Sequence, residues 1–196
     1  SDVSLSYTAA AGSFHIAYGN DAILYGVTWA STSGKYRGGI EYDGVGADDR
    51  IDCGNTGSLD ITTNTITLMA WVKRATTGLH EIIAKINATA SAGYSLEFRT
   101  DNKIEFAKRG IVGIISNSTI TDTNWHHIAG VADSAGMYIY IDGVQDGSGT
   151  NTANILTATG NLIIGRLDTS TPQDYFSGFI DEVAVYSTAL SSSEVL

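Results

Sequence analysis

The sequence predicts an all-β chain, an antiparallel β-sandwich of jelly-roll type. Three observations carry this reading. Roughly a dozen short segments with strand-like patterning recur at regular spacing. No segment shows the apolar period of a long amphipathic helix. Asp142-Gly143 separates two such runs, and it is among the strongest short hairpin signals, because a type I′ turn needs φ > 0 at both central positions.

Taken in order, Val3 to Thr8 alternates weakly, as an edge strand does. Ala9 to Gly12 is a small-residue break, and Phe14 to Asp21 is irregular with Gly19-Asn20-Asp21 as its polar tip. Ala22 to Trp29 and Arg37 to Asp43 read as strands, the second followed by a loop rich in aspartate. Ile66 to Lys73 is apolar on both faces, the pattern of a central strand covered on both sides. Glu81 to Ile86 is the next strand.

Tyr94 to Arg99 alternates strictly, and so does Lys103 to Lys108, with Ile104 and Phe106 inward. With Asp101-Asn102 between them they predict a hairpin. Ile111 to Ser116 follows. Trp125 to Val131 is rich in aromatic, β-branched and small residues, and Asp133 to Gly136 is a turn cluster. In the next strand Met137, Ile139 and Ile141 share one face, and Tyr138 and Tyr140 the other. Leu162 to Arg166 and Phe179 to Tyr186 close the sheet. Trp71, Trp125, Ile139 and Val183 are the expected core.

The 196 residues suit one domain spanning 1–196, with no internal repeat and no Pro-rich linker. A formal charge of -10 and the lack of a basic stripe argue against nucleic acid as a partner. No run reaches the ~18 apolar residues of a membrane span. Ser1-Asp-Val-Ser lacks the basic start and apolar stretch of a signal peptide, so a mature chain or an excised domain is expected. The end at Ser191 to Leu196, with capping-box spacing between Ser191 and Glu194, suggests a parent chain that continues. The single cysteine, Cys53, has no partner and reads as a small half-buried residue in the run Arg50 to Gly54.

Three motifs carry a family resemblance. Trp125-His126-His127-Ile128 is followed by a strand ending in Asp142-Gly143. Gly178, Ile180, Asp181, Glu182, Val183 and Tyr186 precede Ala189, Leu190, Ser191 and Glu194. Gly38-Gly39-Ile40-Glu41-Tyr42-Asp43-Gly44 comes earlier. In order and spacing they resemble the laminin-G-like, concanavalin A-like lectin jelly-roll family, from about Val27 onward. The resemblance implies a lectin-like sandwich and an extracellular setting. The acidic, Thr-, Ser-, Asn- and Gly-rich, Lys-poor composition points the same way. It leaves function open, since a fold hosts many functions.

The family includes glucanases that use Glu-x-Asp-x-x-Glu on one strand. Here Glu41 and Asp43 have the first spacing, but position 46 is glycine. Asp181 and Glu182 are adjacent, as are His126 and His127, so on a regular strand each pair faces opposite ways. No serine has the flanking glycines of a nucleophile elbow, and no phosphate-binding Gly-x-x-x-x-Gly-Lys is present. The chain is therefore expected not to be an enzyme.

Two sites are expected instead. Asp181 falls on a strand face with Phe179, Val183 and Val185, and an ionised carboxylate on an apolar row needs a hydrogen bond, an ion pair or a metal. The resemblance implies structural calcium there, with oxygens from the loop of Asn20 and Asp21. The family's leading acid in that loop is missing from Ala17-Tyr18-Gly19-Asn20-Asp21, and a purely hydrogen-bonded Asp181 is the alternative. Tyr138 and Tyr140 form either an exposed aromatic platform for ligand or one side of the inter-sheet core. The expected function is a non-catalytic extracellular binding or adhesion module for a glycan or protein surface. The alternative is a self-assembling structural or decoration subunit of a filament, appendage or virion.

Overall fold

A computed structural model describes the backbone of 23–25, 28–29 and 40–43, and residues 50–55 and 57–195 in full. The strands are β1 (Ile23–Tyr25), β2 (Thr28–Trp29), β3 (Ile40–Asp43), β4 (Arg50–Asp52), β5 (Ile66–Arg74), β6 (His80–Ile86) and β7 (Gly93–Phe98). They continue as β8 (Ile104–Arg109), β9 (Val112–Ile115), β10 (His126–Ala132), β11 (Met137–Ile141), β12 (Val144–Gly149), β13 (Leu162–Ile164) and β14 (Ser177–Tyr186). Among the described residues two seven-stranded antiparallel sheets form a sandwich. The first runs β1-β4-β13-β6-β7-β8-β9 and the second β12-β11-β10-β5-β14-β3-β2. This is the predicted all-β jelly-roll class.

The turns follow their chemistry. Asp142 and Gly143 both have positive φ, 52° and 76°, and Ile141 pairs with Val144 across them. The β7–β8 hairpin pairs Phe98 with Ile104, and Asn102 takes the left-handed position at φ 63°. Asparagine tolerates that region because its short side chain bonds locally.

One apolar layer fills the space between the sheets. Leu68, Ala70 and Val72 of β5, with Ile128, Ile139 and Ile180, meet Leu96, Phe98, Ile104 and Phe106. Each is essentially inaccessible, and burial of such a side chain stabilises by about 1.5–3 kcal/mol. Ile139 is in the core as expected, and Val183 packs against it from a half-buried position. The tryptophans correct the expectation: Trp71 is 37% exposed and Trp125 only half-buried, both on the outer face of the second sheet. β5 is central, flanked by β10 and β14, but its outer face is not covered along its whole length.

The rims of the core hold buried cations. Lys108 is inaccessible, and its Nζ donates to the carbonyls of Asn64 and Ala153 at 3.2 and 2.7 Å. Lys85 donates to the Gly160 carbonyl at 2.8 Å and pairs with Asp60 at 3.0 Å. Arg74 lies 3.9 Å over the Phe98 ring. Cys53 is half-buried and unpaired, and burial pushes its thiol up to about 11, so it is an inert filler at neutral pH.

The sheets approach closely where Gly130 lies under Phe106. A Cβ at Gly130 would come within 2.5 Å of the Phe106 ring. Gly130→Val is expected to destabilise by about 1–3 kcal/mol through overpacking, read as a lower thermal midpoint. An unchanged midpoint would show that the sheets separate there at no cost.

Candidate functional site

β14 decides where Asp181 points. Ile180 pairs with Val72 and Asp181 with Trp71, but Ala184 pairs with Met69, so one extra residue sits between them. Glu182 takes φ 47° in this bulge. The insertion reverses the side-chain phase. Ile180 is therefore in the core, Val183 and Val185 pack against the core beyond the bulge, and Asp181 turns outward beside Trp71. The expectation that Asp181 shares an apolar row with Val183 and Val185 is thus corrected. Its Oδ1 accepts the Glu182 N–H at 2.8 Å.

Among the described residues no three His, Cys, Asp or Glu side chains converge on a metal position. Asn20 and Asp21 lie outside the described residues. Of the three expected ligands only Asp181, a half-buried carboxylate, lies among the described residues; calcium takes six to eight oxygens.

Tyr138 and Tyr140 are on the outer face of the second sheet, not in the inter-sheet layer. Tyr140 is 7% exposed and packs with Ala129, Val131 and Val195; Met69, Ala189 and Leu190 adjoin. The C-terminal segment covers this half of the face. It is held by Thr67, whose Oγ1 donates to the Thr188 carbonyl and accepts the Leu190 N–H, both at 2.9 Å. The pair is therefore not an open platform.

The other half of the same face is aromatic and open. In register, Asp181, Trp71 and His127 form one row across β14, β5 and β10. Phe179 and Lys73 begin the next row, and Trp125 stands just before β10. The Trp71 and His127 rings are 5.4 Å apart and tilted at 54°, and Trp125 and Phe179 are 6.2 Å apart at 49°. His127 is 5% exposed, and its buried Nδ1 has no hydrogen-bond partner. Burial, outweighing the charges of Asp142 and Glu182, lowers its pKa, so the ring is neutral and keeps one donor and one acceptor.

A second constellation lies on the outer face of the first sheet. Glu81, Glu97 and Glu105 are cross-strand neighbours on β6, β7 and β8. Arg109 reaches along the sheet to them. Its Nη2 is 2.6 Å from Glu97 Oε2 and 3.4 Å from Glu81 Oε2, and its Nε donates to Ser95 Oγ at 2.7 Å. Glu105 pairs with Arg99 at 2.6 Å. Glu81 is fully inaccessible. Burial first, then the Glu97 charge, pushes its pKa well up against the opposing pull of Arg109.

Beside Arg109 a depression of about 330 Å³ is lined by Glu105, Ala107, Gly110, Ile111 and Gly113. The cluster was legible in part: strict alternation and the Asp101-Asn102 turn already place Glu97 opposite Glu105. Like charges directly opposite are unfavourable without a shared cation, which is a signal worth following.

The arrangement does not suit glycoside cleavage. Catalytic carboxyl pairs straddle a bond, about 5–5.5 Å apart when retaining and wider when inverting. Glu81 instead shares Arg109 with Glu97 and is sealed from solvent. Its raised pKa gives a sign. Protonation of Glu81 favours the fold, so this contribution is complete below the ordinary glutamate value and is lost as pH rises through the raised one. Glu81→Gln is expected to flatten that fall in thermal midpoint, while Arg109→Ala should cost about 3–5 kcal/mol by leaving the buried Glu97 without its cation. A glutamine variant as pH-dependent as the wild type would contradict this.

No curated protein sequence gives a significant match to the chain. Solved structures do. Domain 4 of the extracellular arabinanase AbnA from Geobacillus stearothermophilus, in complex with arabinotriose, is 24% identical with a TM-score of 0.60, covering 86% of this chain and 79% of that one. The heptameric SAP-like pentraxin of Limulus polyphemus is 16% identical with a TM-score of 0.53, covering 74% and 79%. The binding domain of botulinum neurotoxin DC, in complex with rat synaptotagmin II, is 10% identical with a TM-score of 0.64. There the match covers 88% of this chain and 44% of the toxin domain, less than half its length. These likenesses speak for the fold. The profile of the concanavalin A-like lectin/glucanases superfamily matches residues 45–196. With the two-sheet sandwich and the Trp-His-His and Gly-x-Ile-Asp-Glu-Val motifs in place on it, the chain belongs to the concanavalin A-like lectin/glucanases superfamily.

Proposed function

We propose that this protein is a non-catalytic, extracellular binding module that recognises a glycan on the outer face of its second sheet. The observation that carries the reading is Trp71, a 37% exposed indole beside the neutral ring of His127. A sugar ring has apolar C–H faces and a polar hydroxyl rim. It packs its face on an aromatic ring and hydrogen-bonds its edge to nearby polar groups. Trp71 with Trp125 and Phe179 supplies the first kind of surface, and Asp181 and Glu182 the second, with the His127 ring packed against Trp71. The contact surface thus moves along the sheet from Tyr138 and Tyr140, which the C-terminal segment covers. The sealed Glu81 supports the non-catalytic reading. The arabinotriose complex of the AbnA domain supports a sugar ligand, and the synaptotagmin complex of the toxin domain makes a protein surface the alternative.

A glycan array tests the reading. Hits are expected for the wild type, with affinity reduced about tenfold or more by Trp71→Ala, the scale of losing a central aromatic anchor. Because Trp71 is partly exposed, the variant should keep its fold. Hits indifferent to Trp71→Ala would move the site elsewhere. No hits, together with concentration-dependent self-assembly, would favour a structural subunit.

Structural calcium on Asp181, with oxygens from Asn20 and Asp21, is the further part of the proposal. A chelator is expected to lower the thermal midpoint of the wild type but not of Asp181→Asn. An ion at a hundredfold excess over its dissociation constant stabilises by about 2.7 kcal/mol. A midpoint indifferent to chelator would leave Asp181 held by hydrogen bonding alone.

A further inference from the structure

His126 precedes the buried His127 and lies between two carboxylates. Its Nδ1 is 2.8 Å from Asp142 Oδ2, and its Nε2 is 3.1 Å from Asp122 Oδ1. A neutral imidazole has one N–H and one lone pair. Whichever nitrogen lacked its proton would confront a carboxylate oxygen with nothing to donate. Only the imidazolium satisfies both contacts.

The two acids are themselves anchored. Asp142 opens the β11–β12 turn, and its Oδ1 accepts the His127 N–H at 2.9 Å. Asp122 lies in the β9–β10 loop, and its Oδ1 accepts the Asn124 N–H at 2.8 Å. The ring therefore ties the end of that loop to the turn, and Trp125 is the residue between Asn124 and His126. We propose that His126 is an imidazolium clamp that holds Trp125 in place, so that binding on the aromatic face weakens when the ring loses its second proton. The effect on binding rests on the glycan-binding face described under Proposed function; the clamp itself does not.

Among the described residues two carboxylates face the ring. Asp122 comes from the loop and Asp142 from the turn, while Val72, its β5 partner, is apolar. The charge of Arg74 on β5 also interacts with that of Asp122. The adjacent His127 is driven toward its neutral form by burial. Burial also opposes the charge on His126, but the hydrogen bonds to Asp142 and Asp122 outweigh it and raise the pKa. The stabilisation is complete below the ordinary histidine value of about 6.5 and is lost as pH rises through the raised one.

The test compares wild type with His126→Gln, which keeps a donor and an acceptor but cannot charge. Thermal unfolding is followed from about pH 5.5 to about pH 9, a range that brackets histidine titration. The wild-type midpoint is expected to exceed the variant's by about 2–4 °C at the acid end, with the gap closing at the alkaline end. A gap that does not change with pH overturns the clamp, and so does a His126 ring that titrates at or below free histidine by NMR. With a glycan taken from the array, wild-type affinity should fall severalfold over the same range while the variant's stays level. A wild-type affinity flat with pH overturns the link to binding. If the gap closes but no glycan binds at any pH, the clamp stands and the glycan reading alone fails.

Discussion

The structure depends on β5 being hydrogen-bonded along both edges, to β10 on one side and β14 on the other. Side chains alternate with period two, so each pairing register assigns every neighbour to a face. Leu68, Ala70 and Val72 face the core, and their cross-strand partners Gly130, Ile128 and Ile180 follow them. Trp71 must then face outward, and so must His127 and Asp181 beside it. The aromatic face is a consequence of that register.

The bulge in β14 lets one strand serve two demands. Before it, Ile180 fills the core; after it, Val183 and Val185 do, although the spacing from 180 to 183 is odd. The residues between them, Asp181 and Glu182, are released to the outer surface. A carboxylate beside Trp71 is thereby obtained without burying a charge. Bulges re-aim side chains in this way near functional surfaces.

Charge is divided between inside and outside. Lys85, Lys108 and Arg74 lie inside the rims, where they cap loop carbonyls, and Arg109 sits between Glu81 and Glu97. Among the described residues four cations, Arg74, Lys85, Lys108 and Arg166, are buried against two acids, Glu81 and Glu97, in a chain with 11 basic and 21 acidic residues. An acidic balance of this kind disfavours polyanions such as nucleic acid.

Local pattern determined much from the sequence alone. Period-two alternation and the Asp142-Gly143 and Asp101-Asn102 turns sufficed for most of the described strands, the hairpins and the sandwich class, because each is set by neighbours along the chain. The inward Ile139, Ile104 and Phe106 follow from the same alternation. Alternation says which residues share a face, but not what covers that face. Trp71 and Trp125 read as core because they are large and apolar, while Tyr138 and Tyr140 read as an open platform or inter-sheet core. In the folded chain the C-terminal segment crosses the tyrosines and leaves the tryptophans open. The phase of Asp181 could not be seen either, since a single inserted residue in β14 reverses it. Nor could the convergence of Glu81 on Glu97 and Arg109, or of Asp122 and Asp142 on His126, which joins residues up to 28 positions apart. Coverage, bulge and convergence are long-range choices, made when strands far apart in sequence pair, and only the tertiary structure decides them.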